Sequence, residues 1–235
     1  MTQALRGKVA IVTGGTRGIG RAIAERLLVE GAAVAICGTS PGSVEQATAA
    51  MNKAGRKVVG EVADVSREAE VRRFFRSVDE RLGTVDFLIN NAGVGIFQSV
   101  LNLTPEDWHR MIDLNLSGVY YCSREAVQRM AGRGGYIINI GSLAGKNAFA
   151  GGAGYNASKF GLNGFSEAMM MDHRYDNVRV SEIMPGSVAT EFGSSGPADW
   201  KIAPEDIAEV VMTMLVMPGR TLLSRVEMRP SKPKK

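Results

Sequence analysis

Short apolar runs alternate with amphipathic stretches of helical length along the whole chain. Runs at 9–13, 33–37, 57–62, 87–90, 136–140, 179–183 and 222–227 read as strands. Helical periodicity occupies 18–30, 42–54, 67–82, 105–131, 155–175 and 204–217. Two of these segments open with start signals, Thr104-Pro105-Glu106-Asp107 and Ala203-Pro204-Glu205-Asp206. Each places proline at the first position and acids in the first turn. Alternation of short apolar strands with helices predicts an α/β fold of one domain over 1–235, a doubly wound seven-stranded parallel sheet with helices on both faces. The irregular segments 91–104, 141–154 and 186–203 all follow predicted strands. In an open parallel sheet that edge holds the ligand.

Composition narrows the class without choosing a function. The 235 residues are 45% hydrophobic and 22% charged, as in ordinary globular domains. No apolar run approaches the ~20 residues needed to cross a bilayer, and the N-terminus lacks the apolar region of a secretion signal. Cys37 and Cys122 form no CxxC pair and read as structural thiols, so a cytoplasmic location is expected. Net charge is +4, with much of the excess in Lys232, Lys234 and Lys235. Flanked by prolines, these read as a solvated tail rather than a nucleic-acid or membrane patch. Arg72, Arg73 and Arg76 lie among Glu68, Glu70, Asp79 and Glu80, a mixed-charge helix face. His109 and His173 stand apart on helices, and no cluster of acids and histidines suggests a metal.

The first chemical signal is Thr13-Gly14-Gly15-Thr16-Arg17-Gly18-Ile19-Gly20, a glycine-rich turn between the first strand and first helix. Glycines there permit a tight turn, close approach to phosphate and close helix–strand packing. The helix N-terminus then presents free N–H groups and partial positive charge to a pyrophosphate. The second strand runs into Gly38-Thr39-Ser40, with no acid before Glu45 to bind a ribose 2′-hydroxyl. With Arg17 nearby, Thr39 and Ser40 suit a 2′-phosphate, so NADP(H) is the expected cofactor.

The second signal is Tyr155-Asn156-Ala157-Ser158-Lys159, where helical spacing stacks phenol and amine on one face. A phenol titrates near ~10, and a neighbouring ammonium favours its phenolate, which suits proton transfer to a substrate oxygen. With these residues the chain resembles the short-chain dehydrogenase/reductase family over nearly its full length. The resemblance rests on Thr13-Gly14-xxx-Gly18-Ile19-Gly20, Asp64-Val65, Asn90-Asn91-Ala92-Gly93, Asn115, Ser142, Tyr155-xxx-Lys159 and Pro185-Gly186, in order and at the family's spacing. It implies a Rossmann fold in which Asp64 and Val65 border the adenine and Asn91, Ala92 and Gly93 line the cofactor site. Pro185, Gly186, Val188 and Thr190 would flank the nicotinamide. Tyr155 would be the general acid of carbonyl reduction and the base of the reverse oxidation. Lys159 would lower the tyrosine pKa and bond the nicotinamide ribose, Ser142 would orient the substrate oxygen, and Asn115 would hold a water leading from Lys159 to solvent.

Substrate identity is less legible. Val94, Phe97, Leu143, Asn147, Phe149 and Phe192 are the expected pocket walls, beneath a short lid at about 187–203 containing Gly193, Gly196 and Pro197. The first half is most similar to bacterial 3-oxoacyl-carrier-protein reductases, which implies a ketone or thioester substrate and possible carrier contacts at Arg129 and Arg133. The C-terminal Ser224-Arg225-Val226-Glu227-Met228-Arg229-Pro230 departs from that group and resembles 3-hydroxy acid dehydrogenases and reductases of broader specificity. Asp176 stands where carrier-binding relatives place a basic residue. The resemblance implies a homodimer or homotetramer paired through 105–131 and 155–175. A catalytically silent NADP-sensing scaffold is the alternative of another class, and it would be free to lose Tyr155 or Lys159.

Overall fold

A computed structural model of the chain describes residues 3–52, 56–192, 196 and 198–233. Seven strands form one parallel sheet: β1 (Val9–Thr13), β2 (Ala33–Gly38), β3 (Val58–Val62), β4 (Phe87–Asn90), β5 (Gly135–Ile140), β6 (Val178–Pro185) and β7 (Arg225–Met228). Their order is β3-β2-β1-β4-β5-β6-β7, so the winding reverses between β1 and β4 and opens a crevice at the carboxyl edge. The helices are α1 (Gly18–Val29), α2 (Pro41–Met51), α3 (Glu68–Arg81), α4 (Pro105–Ile112), α5 (Gly118–Met130), α6 (Ala153–His173) and α7 (Pro204–Val216). The end of the expected 42–54 helix, the tail lysines 234 and 235, and Gly193 and Pro197 of the lid lie outside the described residues.

Consecutive strand residues face opposite sides, so each apolar run feeds two cores. On one face Val12, Ile36, Ile138 and Ile183 pack with Ile23 and Leu27 of α1 and Val211 and Met214 of α7. On the other, Ile11, Leu88, Ile137 and Val180 pack with Phe74 and Phe75 of α3, Cys122 and Met130 of α5, and Met169 of α6. Full burial of each such side chain stabilises the sheet sandwich by roughly 1.5–3 kcal/mol. Both thiols are buried, and burial pushes Cys37 up to about 12, which makes it a packing residue.

One predicted helix differs from expectation. The 105–131 segment is helical to Met130, but Asp113–Ser117 forms a wide π-type turn between α4 and α5. Such turns break the regular 3.6-residue period and concentrate at functional sites. Here the turn carries Asn115.

Candidate active site

Glycines shape one end of the crevice. Gly14 and Gly18 hold φ of +64° and +54°, and a β-carbon on Gly20 would overlap the Asn91 amide. Asn91 Nδ2 donates to the carbonyls of Thr13 (2.9 Å) and Gly14 (3.2 Å), while Thr13 Oγ1 accepts from the N–H groups of Asn91 and Ala92, both at 3.0 Å. The turn is therefore clamped across β1 and β4. Helix α1 starts at Gly18 with no side-chain cap and no acid in its first turn, so its positive pole is uncompensated. A phosphate fits this cradle.

Around it, Thr16, Arg17, Ile19, Thr39, Ser40, Asp64 and Val65 all line the same cleft, as do Ser43 and Arg21, which the motifs did not point to. Gly15 stands behind this lining, where a β-carbon would press on Ile36. Ser66 fixes Asp64, donating to Oδ1 from its N–H (3.0 Å) and its hydroxyl (2.7 Å). Arg17 reaches over the cleft to Glu191, 3.1 Å away, with the two side chains 79% and 78% exposed. Thr190 sets its methyl over Gly18, which brings the start of the lid onto the phosphate turn. The lid's base is a short ladder in which Ala189 N–H donates to Ile202 O (2.8 Å) and Ile202 N–H to Ser187 O (3.0 Å).

At the other end, Tyr155 and Lys159 sit one turn apart on α6, both buried. Lys159 Nζ donates to Ile140 O at 3.0 Å and lies 5.9 Å from the Tyr155 ring centre. Ser142 follows β5 in extended backbone, its hydroxyl beside the Tyr155 phenol and accepting from Ala144 N–H at 3.1 Å. Gly145 lets the short turn Leu143–Gly145 press against the Lys159 carbonyl, where a β-carbon would approach to 2.7 Å. The ring of Tyr155 meets Phe97 edge-on at 5.4 Å and Phe192 at 6.0 Å, and Phe97 meets Phe149 at 5.7 Å. Leu143 and Asn147 complete this wall, while Ala92, Gly93, Pro185, Gly186 and Val188 lie between the two ends. Val94, expected in the wall, instead packs behind Tyr155 with Met111 and Ala144, because its N–H and carbonyl are turned toward Asn115.

Asn115 makes three bonds: Oδ1 accepts from Val94 N–H (2.8 Å), and Nδ2 donates to Val94 O (2.9 Å) and Ser158 Oγ (3.0 Å). Both amide protons are committed, so a water tied to Asn115 would have to donate to it. Ser158 continues the chain by donating to Tyr155 O at 2.8 Å. Nearby, Asn90, Asn139 and Ser166 link β4, β5 and α6 through bonds of 2.8 Å each.

Electrostatics correct one expectation. Burial dominates and pushes the Tyr155 phenol above its ordinary value, the opposite of the net direction expected, and the neighbouring Ser142 hydroxyl only partly offsets this. Burial also pushes the Lys159 amine down to about 8, with the Glu182 carboxylate working in the opposite direction. Glu182, in the middle of β6, went unremarked in the sequence, although an acid inside the run Val178–Pro185 was the available signal. Burial pushes it up to about 7 against the pull of Lys159 and Arg225.

The two arginines considered for carrier binding are engaged otherwise. Arg129 bonds Asp79 at 2.8 Å and Glu125 at 2.7 Å and stacks over Phe75, while Arg133 lies 3.6 Å from Asp86. His173 pairs with Asp176 at 3.0 Å and His109 is exposed, both away from the cleft. Among the described residues no group of three or more His, Cys, Asp or Glu is placed to hold a metal, and no helix is long and apolar enough to cross a membrane.

The fold and cleft define a dinucleotide-binding α/β protein with a buried Tyr–Lys pair beside a half-buried Ser. The chain matches the family model for short chain dehydrogenase over residues 8–199. It is 36% identical over 200 residues to a 3alpha-hydroxysteroid dehydrogenase of Mediterraneibacter gnavus, covering 84% of this chain and 80% of that protein. It is 39% identical over 196 residues to an NADP-dependent (R)-specific alcohol dehydrogenase of Lentilactobacillus kefiri, covering 81% and 77%. A solved metagenomic short-chain oxidoreductase in complex with NADP superposes with a TM-score of 0.87 at 36% identity, over 98% of this chain and all of that one. The chain belongs to the short-chain dehydrogenase/reductase family and is an oxidoreductase of alcohol and carbonyl groups.

Proposed function

We propose that this protein is an NADPH-dependent carbonyl reductase, reversible as an alcohol dehydrogenase, acting on a ketone with apolar flanks. The observation that carries the reading is one continuous cleft of about 1560 Å³ containing both the phosphate cradle and the Ser142, Tyr155 and Lys159 group. Small-ligand sites run to ~300–1,000 Å³, so this cleft has room for a dinucleotide and a substrate together. The NADP-bound and NADP-dependent relatives support the choice of cofactor.

When bound, NADPH supplies the hydride that adds to the carbonyl carbon. Gly14, Thr16, Gly18 and Ile19 would receive the pyrophosphate, with Gly15 and Gly20 letting the turn pack closely behind them, Arg17, Thr39 and Ser40 the ribose 2′-phosphate, and Asp64 and Val65 the adenine. Asn91, Ala92, Gly93, Pro185, Gly186, Val188 and Thr190 shape the nicotinamide end. Negative charge develops on the substrate oxygen, and donors already in place stabilise it. Tyr155 gives that oxygen its proton, Ser142 donates a second bond, and the Lys159 ammonium holds the phenolate left behind. Asn115 positions the group from beneath. Leu143, Asn147, Phe149 and Phe192, joined by Phe97, contact the substrate under the 187–203 lid.

Apolar walls and the engagement of Arg129 and Arg133 favour a free ketone over a carrier-bound 3-oxoacyl thioester. A second reading, a 3-hydroxy acid dehydrogenase, rests on the resemblance of the C-terminal Ser224–Pro230 segment, whose Arg229 lines the same cleft while paired with Glu227 at 2.9 Å. We place the enzyme in the cytoplasm as a homodimer or homotetramer. Pairing runs through α4–α5 and α6, which expose Trp108, Tyr120, Phe160 and Met171. NADPH oxidation followed at 340 nm with aryl ketones, a 3-oxoacyl thioester and a 3-oxo acid tests the reading. Turnover of the neutral ketones with NADPH and far less with NADH is expected; preference for the acid supports the second reading, and no turnover of any overturns both.

A further inference from the structure

Both carboxylate oxygens of Glu182 are buried without a hydrogen-bond partner, and the residue is 1% exposed. A buried, unbonded carboxyl is costly, so its retention calls for a reason. It occupies the strand face turned toward α6, in register with Asn139 on β5 and Arg225 on β7. Its Oε1 rests over Gly141, where a β-carbon would overlap it. Gly141 stands between Ile140, whose carbonyl anchors Lys159 Nζ, and Ser142. Lys159 and Arg225 are the cations acting on it, but Arg225 turns its guanidinium to Asn163 (2.5 Å) and Glu167 (3.3 Å) on α6. Asn139 gives its amide to Ser166 instead. Lys159, held at the Ile140 carbonyl next to the Gly141 that Glu182 covers, is left as the active-site cation acting on this carboxyl.

We propose that Glu182 is a positioning residue of the active site, the buried counter-charge that keeps Lys159 an ammonium beneath Tyr155. The proposal rests on the reductase reading, in which that ammonium stabilises the phenolate. Loss of a nearby opposite charge shifts a partner's pKa by about 1–3 units, downward for an ammonium. Burial already draws Lys159 to about 8, so without Glu182 its proton is lost nearer neutrality.

The test compares wild type with Glu182→Gln, which keeps shape and removes charge. In the pH profile of kcat for ketone reduction, the alkaline fall of the variant moves at least about one pH unit lower. At pH 6, KM for the ketone stays within about twofold. A variant with lower kcat at every pH but an unmoved alkaline limb overturns the proposal. A readout without substrate is the thermal midpoint against pH. Glu182 is raised from 4.5 to about 7 by folding, so the folded form binds the extra proton in that window. Wild type therefore loses midpoint relative to Glu182→Gln as pH rises from 4.5 through about 7 and then runs parallel to it; a wild type that goes on losing midpoint to about pH 9, which leaves Glu182 neutral where the enzyme works, overturns the proposal. Should the wild type reduce no ketone, the reductase reading fails, while the midpoint curves still decide whether Glu182 titrates in the fold. Glu182→Met, which fills similar volume without an amide to satisfy, carries the same comparison if Glu182→Gln does not accumulate folded.

Discussion

Replacing Asn115 by alanine tests how the wide turn between α4 and α5 builds the site. The substitution removes three hydrogen bonds from a side chain that is 1% exposed. At a net ~0.5–1.5 kcal/mol each, and with the half-buried Val94 N–H and carbonyl left to water, the loss comes to about 2–4 kcal/mol. Ser158 keeps its bond to Tyr155 O, which limits the damage on α6. For a domain of this size, each kcal/mol moves the thermal midpoint by ~2–4 °C, so a fall of roughly 5–15 °C is expected. Urea unfolding followed by circular dichroism gives the same quantity independently. Asn115→Asp keeps the acceptor for Val94 N–H but loses both donors, and should fall between wild type and Asn115→Ala or below both if the charge is unpaired. Activity measured well below either midpoint should still fall at least tenfold, because the 91–96 loop and Tyr155 are positioned through Asn115. A stability within about 0.5 kcal/mol of wild type refutes the clamp.

Gly141→Ala places a methyl against the buried Glu182 carboxyl, an overpacking expected to cost about 1–3 kcal/mol or more. Because the clash is with one side chain, Gly141→Ala/Glu182→Ala should recover much of that loss; additive effects in a double-mutant cycle contradict the packing argument. If Arg17 meets the 2′-phosphate as proposed, a charge-assisted bond of that kind is worth ~1.5–3 kcal/mol, so Arg17→Ala should raise KM for NADPH about tenfold or more and leave KM for NADH unchanged. Glu191→Gln frees Arg17 from an exposed pair worth little by itself, and should tighten NADPH only about two- to threefold, read by fluorescence titration.

The strands and most helices were legible because parallel strands are apolar runs and the helices between them keep a regular period. The wide turn at 113–117 was not, since a single extra residue per turn leaves almost no trace in hydrophobic spacing. Ser142, Tyr155 and Lys159 could be assigned from motif spacing, and the structure brings them to one cleft. Val94 misled because the loop after β4 carries Val94, Ile96 and Phe97, whose side chains divide between core and wall, and the Asn115 bonds fix Val94 on the core side. Arg129 looked like a free surface charge, yet its partners Asp79 and Glu125 come from another helix and from its own preceding turn. Glu182 was illegible as chemistry, because its meaning lies in what β5, β7 and α6 place around it. Sequence spacing reports neighbours along one element, whereas the electrostatics of this site are set between elements.

The most direct measurement of the central claim is Tyr155→Phe assayed for NADPH-dependent ketone reduction, with NADPH binding measured in parallel. Phenylalanine preserves the ring contacts with Phe97 and Phe192 and removes only the hydroxyl. General acid catalysis supplies ~10²–10⁴-fold, so kcat should fall at least about a hundredfold while NADPH affinity stays within about threefold. A variant that keeps full turnover contradicts the assignment of proton transfer to Tyr155.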